Sequence, residues 1–127
     1  MSTPTAAIRG ITQVSVPVHD VSRAVSFYRD VLGLTLLFEQ SNMALLDAGG
    51  IRLLLSIPEK PEFDHPGSTL YFKVDSIDDG YGALVAAGAD CRGKPHKVAE
   101  FGGFAVWMAF FYDPDRNLHA LTSEVPL

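Results

Sequence analysis

The sequence predicts an α+β fold: two tandem βαβββ modules whose strands form a curled mixed sheet around a cavity, with the helices on its outer face. Three observations carry this. Strand-period and helix-period segments follow one another in the same order twice, the two copies are offset by 56 residues, and a proline-rich segment separates them. A chain of 127 residues and 13.8 kDa suits one domain, 1–127, with modules at about 8–57 and 67–124 and a linker at 58–66.

In Ile11 to Val18, Val14, Val16 and Val18 fall on one face and Gln13, Ser15 and Pro17 on the other, the period of a half-buried strand. Asp20 can then cap a helix that places Val21, Ala24, Val25, Tyr28, Val31 and Leu32 at helical spacing, with Gly33 as its left-handed stop. Leu34 to Glu39, Met43 to Asp47 and Ile51 to Ser56 read as three short strands, the last two joined by a Gly49-Gly50 turn. Pro58, Pro61 and Pro66 keep the linker from being helix or central strand. The order then repeats. Ser68 to Val74 is strand-like, and Ser76 with Asp79 makes a capping box before Ile77, Tyr81, Leu84 and Val85, ending at Gly88. Lys94 to Phe101, Phe104 to Tyr112 and Asn117 to Ser123 complete the second module, joined by Gly102-Gly103 and the Asp113-Pro114-Asp115-Arg116 turn. Val18-His19-Asp20-Val21 and Val74-Asp75-Ser76-Ile77 lie 56 residues apart, as do Gln13 and Thr69, which points to duplication.

Hydrophobic residues make up 47% and charged residues 20%, which argues for a packed globular domain and against disorder. The 15 Asp and Glu against 10 Lys and Arg give a net charge of −5, which disfavours nucleic acid as a partner. Cys91 is the single cysteine and cannot form an internal disulfide. The N-terminus lacks the basic start and apolar run of a signal peptide, and no stretch approaches a membrane span, so a soluble cytoplasmic protein is expected.

Taken in order, Ile11-Thr12-Gln13-Val14-Ser15-Val16-Pro17-Val18-His19-Asp20, Phe27-Tyr28-Arg29-Asp30-Val31-Leu32-Gly33-Leu34, Tyr71-Phe72-Lys73-Val74-Asp75 and Ala109-Phe110-Phe111-Tyr112-Asp113-Pro114-Asp115-Arg116-Asn117 resemble the vicinal oxygen chelate superfamily. That superfamily includes glyoxalases, extradiol dioxygenases, fosfomycin-modifying enzymes and bleomycin-resistance proteins. The resemblance runs from about Ile8 to Ser123 and implies a homodimer and a cavity metal held by His, Gln and Glu from the first and last strands of each module. At those positions this chain has Gln13, Thr69 and Ala120, while the last strand of the first module offers Arg52 and Leu54. A divalent cation needs about three good donors, and only Gln13 is one, so no metal and no other cofactor is expected. The alternative metal pair is Gln13 with His119, should Arg116, which replaces the usual glycine of the turn, shift the register of the last strand. In a regular strand His119 faces the helices instead.

Two functions remain open. The first is a metal-free protein binding a small, partly apolar organic molecule in the sheet cavity, with Gln13, Ser15, Arg52, Leu54, Thr69, Tyr71, His96, Trp107, Phe111 and Ala120 as candidate contacts. Arg52 and Lys73 are the candidate anchors for a carboxylate or phosphate. The second is a metal-dependent or metal-independent lyase, isomerase or dioxygenase of glyoxalase type, for which no catalytic residue can be named. Alternation splits the aromatic strand into Trp107, Ala109 and Phe111 on one face and Met108, Phe110 and Tyr112 on the other; which of them lines the cavity stays open at this point.

Overall fold

The computed structural model describes residues 5–127. In the first module β1 (Gln13–Pro17) runs parallel to β4 (Ile51–Ser56), which pairs antiparallel with β3 (Met43–Ala48), and β3 with β2 (Thr35–Glu39), giving the order β1-β4-β3-β2. The second module repeats this arrangement. Its first strand β5 (Leu70–Lys73) lies parallel to its last, β9 (Leu118–Pro126), which pairs antiparallel with β8 (Phe104–Tyr112), and β8 with β7 (His96–Phe101). A two-residue strand not foreseen from the sequence, β6 (Asp90–Cys91), pairs with the far end of β8 through Phe111 and Tyr112. It is too short to show a period.

The α+β class holds, with the strands in two mixed sheets of four and five strands and no closed barrel. Asp20 caps α1 (Val21–Val25) by accepting from the Arg23 N–H at 3.0 Å, and Ser76 caps α2 (Ile77–Ala86) by accepting from the Asp79 N–H at 3.2 Å. The first helix departs from the simple expectation. After Val25 it widens into a π-helical turn over Ser26–Val31, closed by the Leu32 N–H on the Phe27 carbonyl. This wider winding turns two adjacent aromatics, Phe27 and Tyr28, into the interior together.

Val14, Val16 and Val18 turn towards these helices, as their alternation requires, and β3 and β4 add Ala44, Leu46, Leu53 and Leu55. Phe111, Ala109 and Leu121 of the second sheet and Ile77 and Leu84 of α2 join the same core. The helix-facing sides of both sheets therefore share one apolar cluster, and their other sides face away from the helices.

A buried polar chain ties the modules together inside this core. The Tyr28 hydroxyl donates to Asp113 Oδ2 at 2.7 Å and also lies 2.7 Å from His119 Nε2. A hydroxyl has one proton, so His119 carries its own on Nε2 and donates to the Tyr28 oxygen, while Nδ1 accepts from the Leu70 N–H at 3.4 Å. Asn117 extends the chain, donating from Nδ2 to Asp113 Oδ2 and to the Pro17 carbonyl, both at 2.9 Å. His119 is fully buried, and burial pushes its pKa down from 6.5 to about 4.

Two outcomes follow for stability. Tyr28→Phe leaves the buried Asp113 and His119 groups without their shared partner and is expected to cost about 2 kcal/mol in urea denaturation. His119 binds its proton more weakly in the folded than in the unfolded chain, so its contribution is complete above about pH 6.5 and declines as pH falls towards 4. That loss amounts to about 3 kcal/mol. Denaturation curves at pH 7.5, 5.5 and 4.5, compared with those of His119→Gln, measure it.

Candidate functional site

The register of the first sheet sets out a floor. Ser15 sits opposite Leu54, Pro17 opposite Ser56, and Ser56 opposite Met43, so these side chains share the face turned away from the helices. The segment after β4 crosses in front of this face, with a short 3₁₀ turn at Pro61–Phe63. Between floor and crossing segment lies a cleft of about 630 Å³, whose outer wall is made by Ile57, Glu59, Phe63, His65 and Pro66. Its lining is mainly apolar side chains with neutral Ser15, Asn42, Ser56 and Ser68. Glu59 is the only Asp, Glu, Lys or Arg among the lining residues, so Arg52 and Lys73, expected as anion anchors, do not line this cleft.

Gln13 and Arg52 lie side by side on the same sheet face, and Arg52 Nε donates to Gln13 Oε1 at 3.2 Å. The expected metal donors are therefore a poor set. The amide oxygen of Gln13 is turned to a guanidinium, Thr69 offers a hydroxyl, and Ala120 offers nothing. His119 does not join Gln13, because both its ring nitrogens are engaged in the core. These residues do not fit a divalent cation, and no other group of three or more His, Cys, Asp and Glu among the described residues is placed to hold one.

The second sheet gathers a separate group. Tyr71 packs edge-on against Phe110, with ring centroids 6.5 Å apart, and His96 stacks on the other side of Phe110 at 6.2 Å. Ala120 pairs with both Tyr71 and Phe110 and, having no bulk, lets these rings lie over it. Thr69 immediately precedes β5. Tyr71, His96 and Ala120 thus belong together. Phe110, absent from the sequence candidates, is their centre.

Trp107 and Phe111 fall on the opposite face. Phe111 is fully buried in the core against Phe27 and Phe72, and Trp107 packs against the same core, so both side chains point away from the open face. The register decides this: Phe111 pairs with His119 and Phe110 with Ala120. The β8–β9 turn keeps that register. Arg116 adopts the left-handed conformation usual for glycine, at φ +67°, with its guanidinium 4.0 Å from the Tyr112 ring centroid and paired with Asp90. Burial and the nearby Asp90 carboxylate push the Cys91 thiol pKa up, which leaves it a poor nucleophile.

One more cluster was not legible from spacing. His19 before α1 lies between Asp64 of the crossing segment, 2.8 Å from Nε2, and Asp115 of the β8–β9 turn, 3.1 Å from Nδ1. Its members are 45 and 96 residues from His19, so only the folded chain brings them together.

Residues 10–121 match the family model of the Glyoxalase/Bleomycin resistance protein/Dioxygenase superfamily. The chain belongs to this superfamily. It is 33% identical over 122 aligned residues to the uncharacterized protein YraH of Bacillus subtilis, covering 85% of this chain and 93% of that one. A shorter stretch of 49 residues is 37% identical to the metallothiol transferase FosB of Staphylococcus haemolyticus, covering 39% of this chain and 35% of FosB. Two solved structures share the superfamily fold. A member from Sphaerobacter thermophilus superposes with a TM-score of 0.77 at 20% identity, over 92% of this chain and 98% of that one. Lactoylglutathione lyase from Agrobacterium tumefaciens superposes with a TM-score of 0.73 at 19% identity, over 92% and 95%.

The assignment of faces on β8 is open to direct measurement. Phe111→Ala is expected to destabilise the chain by about 3 to 5 kcal/mol, the cost of emptying a core aromatic site. Phe110→Ala, on the half-buried open face, is expected to cost less than half as much in the same urea titration.

Proposed function

We propose that this protein is a metal-free binder of a small, partly apolar organic molecule, held between the first sheet and the segment crossing it. The cleft of about 630 Å³ carries this reading, since it is the size of a pocket for a small ligand and combines apolar walls with a few neutral donors and acceptors. Lacking a lysine or arginine among its lining residues, it favours a neutral molecule over a carboxylate or phosphate. The Gln13 and Arg52 pair supports the metal-free part, because a guanidinium beside the family's ligand position repels a cation.

A homodimer fits the same reading. Phe38, Tyr71, Phe101 and Phe104 are exposed at 46, 55, 61 and 38%, and a second copy laid over these apolar side chains would remove them from water. No helix among the described residues is long and apolar enough to cross a membrane, and the acidic balance disfavours nucleic acid, which supports a cytoplasmic small-molecule binder. The second reading, a glyoxalase-type lyase, isomerase or dioxygenase, draws its support from the superfamily whose model the chain matches.

The tests separate these readings. In a thermal-shift screen of neutral aromatic alcohols and amides, a binder present at a hundred times its Kd is expected to raise Tm by roughly 10 °C. Leu54→Trp, which fills the cleft, is expected to abolish the shift; a library without a hit refutes the binding reading. Purified protein is expected to hold well under 0.1 equivalent of Zn, Ni, Fe or Mn by elemental analysis, and near-stoichiometric metal lost in Gln13→Ala would favour the enzyme. Light scattering at micromolar concentration is expected to give about twice 13.8 kDa.

A further inference from the structure

The segment crossing the cleft is built as a strap. Pro58, Pro61 and Pro66 restrict its backbone, and the 3₁₀ turn is closed by the Phe63 and Asp64 N–H groups donating to the Lys60 and Pro61 carbonyls at 3.0 and 3.1 Å. At its far end Gly67 is pinned to the body. Its N–H donates to Asn117 Oδ1 at 3.2 Å, and a Cβ at that position would lie 3.2 Å from Pro17 Cδ. Between these ends, among the described residues, one hydrogen-bonded contact joins residues 58–66 to the rest of the chain: Asp64 Oδ1 to His19 Nε2 at 2.8 Å.

That contact is stronger when His19 carries both ring protons. His19 has a carboxylate oxygen at each ring nitrogen, Asp64 at Nε2 and Asp115 at Nδ1. A neutral imidazole has one N–H and one lone pair, so it can donate to only one of them and turns its lone pair on the other. The imidazolium donates to both. Asp115 adds to the demand for positive charge, since its side chain is fully buried and its Oδ2 has no hydrogen-bond partner among the described residues. The other charges around His19 are Arg23, which donates to Asp115 Oδ1 at 2.9 Å and opposes a second cation, and Asp20, the preceding helix cap, which favours one. The hydrogen bond to Asp64 raises the His19 pKa above 6.5, with solvent loss acting the other way.

We propose that His19 is a proton-operated latch that clips the strap over the cleft through Asp64 and lets it lift between Ile57 and Gly67 when the imidazolium loses its proton. The latch stands on intramolecular geometry alone; its role in ligand entry rests on the binding reading above. His19 and Asp64 are both about half exposed, so the effect is that of a surface ion pair, two- to fivefold in the open population.

Chymotryptic cleavage of the full chain tests it, with the rate after Phe63, an exposed residue on the strap, divided by the rate on a short unstructured phenylalanine peptide added to the same reaction, so that the protease's own pH dependence cancels. The ratio is expected to rise two- to fivefold between pH 6 and pH 8, following the His19 ring titration seen by NMR. In His19→Gln and Asp64→Asn the ratio is expected to stay at the raised level throughout. A ratio independent of pH in the native chain, or one that still titrates in His19→Gln, overturns the latch. A ligand from the thermal-shift screen should associate two- to fivefold faster at pH 8 than at pH 6. An equal association rate alongside a titrating cleavage ratio overturns the gating role while the latch stands, and failure of the screen itself counts against the binding reading alone.

Discussion

The hydrogen-bonded chain from Tyr28 through Asp113 and His119 to Asn117 is the constraint on which the two-module arrangement depends. Each module buries one side of its sheet beneath a helix, and those two sides meet in a single apolar cluster. Apolar contact alone favours burial without fixing how one module sits on the other. The polar chain supplies that choice, because Tyr28 of the first module reaches Asp113 and His119 of the second only in one relative placement. The π-helical turn belongs to the same constraint. It brings Tyr28 inward beside Phe27, so the hydroxyl arrives at the β8–β9 turn while the ring beside it packs on Phe111.

The same chain also decides which residues face the open side of the second sheet. Asp113 Oδ1 accepts from the N–H groups of Asp115 and Asn117, and this knits the turn so tightly that β9 leaves it in unbroken register with β8. His119 is then committed to the core and Ala120 to the face beneath Tyr71 and Phe110. Arg116 does not shift the strand, since its left-handed backbone supplies what glycine would and its side chain settles on Tyr112 and Asp90. An interior contact thus determines, one residue along, the chemistry available outside.

Much of this was legible in the sequence. The alternation of Val14, Val16 and Val18 against Gln13, Ser15 and Pro17 assigned both faces of β1, the 56-residue offset revealed the repeated topology, and strand parity turned His119 towards the helices. Alternation could not rank the two faces of β8, because both carry large apolar side chains and period-2 patterning discriminates only when one face is polar. Phe110 was therefore passed over and Phe111 put forward. The roles of Tyr28, Asp113 and Asn117 were hidden for another reason. Each suits its local position, a helix face or a turn, and the partners that give them meaning lie 85 or more residues away in several cases. The His19 cluster is of that kind too.

The division between the two sides of each sheet separates the contacts that hold the shape from the side chains that face outward. Every group in the buried polar chain from Tyr28 to Asn117 is satisfied by a residue of the protein. On the open face of the first sheet, Gln13 and Arg52 are exposed neighbours whose contact with each other costs little to form and little to lose. Changing such a pair alters the charge of this face without disturbing Val16 or Leu55 behind it. The side that holds the modules together is intolerant of polar change, and the open side is free to vary its chemistry. What that side offers in the cleft is hydroxyls, an amide and apolar walls, together with the Glu59 and His65 side chains of the segment that crosses it.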